Sequence, residues 1–216
     1  YVATAGQNLF EDLQGTKKGD EFASAVDAQG LHFVLGRDDP ECAARLRSLL
    51  APAGILRASP YALRLEWRGA PSAELSDLLR VHEYEYLRKI EATCDALKRA
   101  EAADPLTTKT DMLDSDTIVT AHSYAAALRG AGAAIEAVRS LGAEPREARN
   151  AFCAIRPPGH HAEAGKGGGF CIFNNIAIAA MHALEVHGLP SVAIVDIDVH
   201  HGNGTQRAFY ADAVLL

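Results

Sequence analysis

The spacing of apolar positions changes character along the chain. A polar start gives way to one short apolar run, Leu31 to Leu35, which predicts a strand. Pro40 then opens an amphipathic helix, with Leu46, Leu49 and Leu50 on one face and Arg45 and Arg47 off it. Turn-forming residues dominate 51–72, which predicts loop and edge structure. Helices are expected over 73–81 and 84–100, the second broken by Asp104 and Pro105. A loop of Thr, Lys and Asp residues runs to Asp116. An alanine-rich helix follows over 122–141 and is ended by Gly142.

Beyond Gly142 the pattern alternates between strand and helix. Ala151 to Ile155 is a short apolar run followed by a glycine-rich loop. A helix is expected over 173–187, where small residues permit close packing. Ser191 to Ile197 reads as a buried strand, followed by a turn, a short helix near 206–210 and the start of another strand. Short apolar strands separated by helices predict an α/β fold with an open, mainly parallel sheet and helices on both faces. No internal repeat or low-complexity linker interrupts it. Domain boundaries normally fall in polar segments, so an end at 213–216, inside an apparent strand, reads as truncation.

Composition narrows the function classes. The formal net charge of −7 argues against a nucleic-acid surface. No run of eighteen apolar residues predicts a membrane span, and no charged-then-apolar leader is visible. Cys42, Cys94, Cys153 and Cys171 form no C-x-x-C pair, so free thiols in a reducing compartment are expected.

Three segments carry candidate chemistry. The first is Asp196-Ile-Asp198-Val-His200-His201-Gly202-Asn203-Gly204-Thr205-Gln206, directly after the expected strand at 191–197. Carboxyl ends of parallel strands are where α/β proteins bind ligands. Side chains alternate along an extended chain, so Asp196, Asp198 and His200 share one side. A carboxylate and an imidazole two residues apart form half of a zinc site, and a third ligand must come from elsewhere. As mere strand-end caps, two buried aspartates without a cation would be costly.

The second segment is Arg156-Pro157-Pro158-Gly159-His160-His161, after the strand at 151. Imidazoles titrate near neutrality, so this pair suits general acid and base work. Alone it would read as surface loop; opposite the aspartate cluster it becomes a site. The third, Gly165-Lys166-Gly167-Gly168-Gly169-Phe170-Cys171, lacks the order of a phosphate-binding loop. Its glycines would let backbone approach a substrate, with Phe170 as an apolar wall. The histidines at 32, 82, 122, 182 and 187 read as core or surface residues.

RPPGHH at 156–161, GGGFCIFNN at 167–175 and DIDVHHGNGTQ at 196–206 resemble the histone deacetylase and acetylpolyamine amidohydrolase superfamily. The likeness is strongest to its class II branch and bacterial relatives. Asp39-Pro40-Glu41 with Arg45 and Leu46 resembles a worn HPE-x-x-x-R-L motif, and Ser123-Tyr124 is similar too. The resemblance covers roughly 35–216, so residues 1–34 are expected as an N-terminal segment and 35–216 as the N-terminal part of one catalytic domain.

The resemblance implies an arginase/deacetylase-like fold and zinc-dependent hydrolysis of an acyl-amide, such as acetyl-lysine or an acetylated polyamine. Asp198 and His200 would be zinc ligands. His161 would be the general base and then the acid toward the leaving amine, with His160 assisting electrostatically. Asp196 would hold His160 and, with backbone oxygens of Asp198 and His200, bind a structural potassium ion. Asn203 would hydrogen-bond His161, where some branches carry aspartate. Gly169 and Phe170 would line the substrate tunnel. The family's third zinc ligand and its oxyanion tyrosine would lie beyond Leu216. Two other functions stay open: a zinc-bearing scaffold of the same fold, and an arginase-type ureohydrolase. The expected location is the cytoplasm, or the nucleus in a eukaryote, with room for an oligomer.

Overall fold

The computed structural model describes residues 2–4, 41, 44–106, 109–143 and 148–210. The expected strand at 31–35, Pro40, Cys42 and the strand at 213–216 lie outside these residues.

Among the described residues three short parallel strands make a sheet, in the order β2-β1-β5: β1 (Val2–Thr4), β2 (Glu66–Arg68) and β5 (Ala151–Cys153). The register pairs Val2 with both Glu66 and Ala151. Strand β5 falls inside the apolar run at 151–155, and β2 in the segment expected to form edge structure. Strand β1 has no apolar pattern to announce it. An antiparallel hairpin, β3 (Thr110–Met112) with β4 (Ile118–Thr120), replaces most of the expected polar loop. Every β3 residue is exposed, so alternation cannot mark it.

The helices follow the sequence pattern more closely. Helix α1 spans Ala44–Leu50, and α2 contracts to one turn, Leu75–Leu78. Helix α3 (Tyr84–Ala103) buries Tyr86, Leu87, Ile90 and Cys94 along one stripe and ends at Asp104. Helix α4 (Ser123–Gly142) buries Ala127, Gly130, Ala131 and Ala134, and packs against α5 (Asn175–Glu185) and β5. Side chains this small let two helices approach closely. Helix α6 runs Asn203–Phe209, three residues earlier than expected. The core gathers Leu78, Leu87, Ile90, Val119, Phe173 and Ile178 between these layers. No helix among the described residues is long and apolar enough to cross a membrane.

The expected strand at 191–197 forms no named ladder among the described residues, where Ala193 alone takes a β-bridge position, and its burial is less than expected. Only one side of it packs: Val192 and Ile194 meet Ala177, Ala180 and Phe209. On the other side Val195 is 83% and Ile197 93% exposed. A continuous apolar run signals burial on two sides, and among the described residues one side alone finds partners. Asp198 is therefore exposed and Asp196 only partly covered, so the cost of burying charge is smaller than expected for this pair.

Candidate active site

Two loops meet in front of α5 and α6. The first carries His160 and His161 and is tied to α6, whose Gly204 and Thr205 amides donate to the carbonyl oxygen of His160 at 2.9 and 3.1 Å. Gly204 is required there, because a β-carbon would run into the Ala162 carbonyl. Behind the loops Asn174 acts as a buried brace. Its side chain donates to the Ala162 carbonyl at 3.2 Å and caps α5 by accepting from the Ala177 amide at 3.1 Å. Asn174 also touches Thr205 Oγ1 at 3.2 Å, joining both loops to one point.

The two histidines have different partners. His160 Nδ1 lies 2.8 Å from Asp196 Oδ2, and His161 Nδ1 lies 2.6 Å from Asn203 Oδ1. Their rings lie with centroids 4.0 Å apart, tilted 49° to each other. Partial burial works against the charge of Asp196, but hydrogen bonds from His160 and the Asp198 amide outweigh it and hold its carboxyl below the ordinary value.

Asp198 and His200 form the second cluster. Asp198 Oδ1 accepts from the His200 amide at 2.8 Å and lies 2.9 Å from His200 Nδ1. These bonds to His200 hold the Asp198 carboxyl below its usual value. Two ligands of a tetrahedral zinc, each ~2.0–2.1 Å from the ion, stand roughly 3.3 Å apart. The observed pair stands 2.9 Å apart in direct contact, so it is the chemistry of the two donors, a carboxylate and an imidazole, that fits half of a zinc site. No group of three or more candidate metal-binding side chains occurs among the described residues. The His200 ring lies 6.1 Å from that of His161, centroid to centroid.

A cavity of about 330 Å³ opens beside His161, lined also by Asn203, Gly169, Gly168, Leu113 and Asp114. Gly169, expected at the tunnel, is in the lining; Phe170, expected as its wall, is not. The Phe170 backbone is left-handed, at φ 66°, and its amide is tied to Thr117 Oγ1 at 2.9 Å. Leu113, from the hairpin that sequence patterning passed over, supplies an apolar side chain to the lining.

Asp114, also from the hairpin turn, was likewise missed. Its carboxylate accepts from the amides of Gly169 at 3.2 Å and Thr117 at 2.8 Å. Partial burial opposes its charge, but the bonds from Thr117 and Asp116 prevail and keep its carboxyl below the ordinary value. Its only sequence signal was the Asp-Ser-Asp-Thr turn at 114–117. Cys94 and Cys171 are buried and Cys153 is partly exposed. Burial pushes the Cys171 thiol up to about 12, so it serves as packing.

Comparison with known proteins identifies the family and the fold. The family model of the histone deacetylase domain matches residues 39–216. A histone deacetylase-like amidohydrolase of Pseudomonas aeruginosa is 40% identical over 173 residues, covering 80% of this chain and 40% of that protein. Histone deacetylase HDA1 of Saccharomyces cerevisiae is 36% identical over 190 residues, covering 83% of this chain and 25% of its own length. The crystal structure of the HDA15 HD domain superposes with a TM-score of 0.75 at 27% identity, over 99% of this chain and 51% of that one. The chain belongs to the histone deacetylase family and has its α/β arginase/deacetylase fold. It spans less than half the length of the Pseudomonas and yeast relatives.

Proposed function

We propose that this chain supplies the base and two metal ligands of a zinc-dependent deacylase acting on acetyl-lysine in proteins or on acetylated polyamines. The observation that carries the reading is the approach of a hydrogen-bonded His161–Asn203 pair, which lines the cavity, to the Asp198–His200 donor pair. Zinc held by Asp198, His200 and one further ligand would polarise the amide carbonyl and make water acidic enough to attack at neutral pH.

The chain's own residues do the rest. Asn203 Oδ1 accepts from His161 Nδ1–H, which leaves the lone pair of the neutral ring on Nε2 to take the proton of the attacking water. The same nitrogen then returns a proton to the departing amine. His160, paired to Asp196, adds a second imidazole whose charge can respond to the negative charge that develops on the substrate. Gly169 and Leu113 shape the passage for the acyl-amine stem. Asp196 would also bind structural potassium together with backbone oxygens of Asp198 and His200. The net charge of −7 favours the approach of cationic substrates and not of nucleic acid.

The test is hydrolysis of a fluorogenic acetyl-lysine peptide by the full-length protein, before and after zinc removal. Turnover that stops on chelation and returns with zinc supports the reading. Stoichiometric zinc without turnover on acetyl-lysine or acetylpolyamine would favour a scaffold.

A further inference from the structure

Behind Asn203 stands a carboxylate that the acid–base reading leaves unused. Asn203 Nδ2 donates to Glu163 Oε1 at 3.1 Å, and the same nitrogen lies 3.5 Å from the carbonyl oxygen of His161. We propose that Glu163 is a positioning residue that fixes the amide of Asn203 and, through it, selects which nitrogen of His161 carries the proton. The inference rests on the reading of His161 as the base.

The two ends of an asparagine amide are nearly the same size, so neighbours decide which faces where. A carboxylate only accepts, so the amide end facing Glu163 must be the NH2. Asn203 Oδ1 then faces His161 Nδ1 at 2.6 Å, and an acceptor there requires Nδ1–H. The reversed amide would place NH2 against Nδ1 and favour a proton on Nε2, where it would occupy the nitrogen needed as base. A carboxylate at position 203 would need no such help, since both its ends accept. The neutral amide does.

Glu163 is held firmly enough for this task. Its side chain is 13% exposed, with Oε2 at 3.1 Å from Arg207 and Oε1 at 3.4 Å from Lys166. Its own amide donates to the Lys166 carbonyl at 2.9 Å. Its carbonyl accepts from Nδ1 of the buried His82 at 3.0 Å, while His82 Nε2 accepts from the Asn174 amide at 2.9 Å. The backbone of Glu163 is thereby anchored to the brace that joins both catalytic loops.

The experiment compares wild type, E163L, E163Q, N203D and E163L/N203D in the full-length, zinc-loaded enzyme, with the His161 tautomer read from its ring 15N shifts. We expect Nδ1–H in the wild type and a mixed or reversed tautomer in E163L. Losing a preference of ~1.4 kcal/mol lowers kcat about tenfold, with KM within roughly twofold. E163Q keeps an acceptor oxygen and should recover most of kcat. In the N203D background, removing Glu163 should cost little, so the two effects are strongly non-additive.

Nε2–H in the wild type, or an unchanged tautomer in E163L, overturns the proposal. Equal kcat losses with asparagine and with aspartate at 203 also overturn it, because they would make Glu163 a loop brace only. A tautomer that follows Glu163 while kcat does not would defeat the role of His161 as base and uphold the inference. E163A serves the same comparisons if E163L does not fold.

Discussion

The Gly169 backbone lies directly against the imidazole of His161. A β-carbon at 169 would stand 2.8 Å from His161 Cγ and closer still to Cδ2. Gly169 also has φ +55°, a conformation that costs an L-residue on the order of 1–2 kcal/mol. Gly169→Ala is therefore expected to push the His161 ring off its bond to Asn203. Turnover should fall by about tenfold or more, with a smaller change in stability, since ring displacement of ~1 Å already costs that much in rate. Steady-state kinetics and thermal melting of the variant check it; full activity would mean that the loop gives way freely.

Asp114 fixes the rim of the cavity. Asp114→Ala frees the amides of Gly169 and Thr117 together, and each lost bond to a charged acceptor is worth about 1.5–3 kcal/mol. We expect KM to rise several-fold through a loosened glycine loop, by an amount on the order of 1 kcal/mol. A substrate-concentration series for the variant measures this. An unchanged KM would place substrate elsewhere than the cavity beside Gly169.

How legible this was in the sequence depended on how local each signal is. Helices α3 and α4 carry their own apolar stripes and stop signals, and both stand within a few residues of the expectation. His160 meets Asp196 and His161 meets Asn203 as the family resemblance implied, across two loops far apart in sequence. What failed needed tertiary knowledge. The 191–197 run looked buried on both sides, yet the described fold covers only the side carrying Val192 and Ile194. Leu113 and Asp114 reach the cavity from a hairpin whose first strand is wholly exposed and has no period to detect. Phe170 sits at a left-handed φ that its residue type does not announce.

Acid should weaken the fold through His82. Burial is the main cause that lowers its pKa from 6.5 to about 4, against the bonds to the backbone of Glu163 and Ala164. The unfolded chain takes up a proton near pH 6.5, while the folded ring stays neutral until about pH 4. Its contribution is therefore fully present above pH 6.5 and is lost as pH falls toward 4. The loss reaches on the order of 3 kcal/mol. His82→Gln should be less stable at neutral pH but show a shallower decline over that window. Denaturant midpoints of both proteins from pH 7 to pH 4 supply the comparison, and parallel slopes would remove His82 as the cause.

The central claim is a division of labour between a base and a metal-binding pair. It is tested most directly by measuring zinc content and acetyl-lysine turnover together in full-length His161→Ala, Asp198→Ala and His200→Ala. Removing the base should leave zinc near its normal level and abolish turnover. Removing either ligand should lower zinc and turnover in step, since a catalytic zinc relies on about three protein ligands. Stoichiometric zinc in both ligand variants, or unchanged turnover in His161→Ala, would contradict the account.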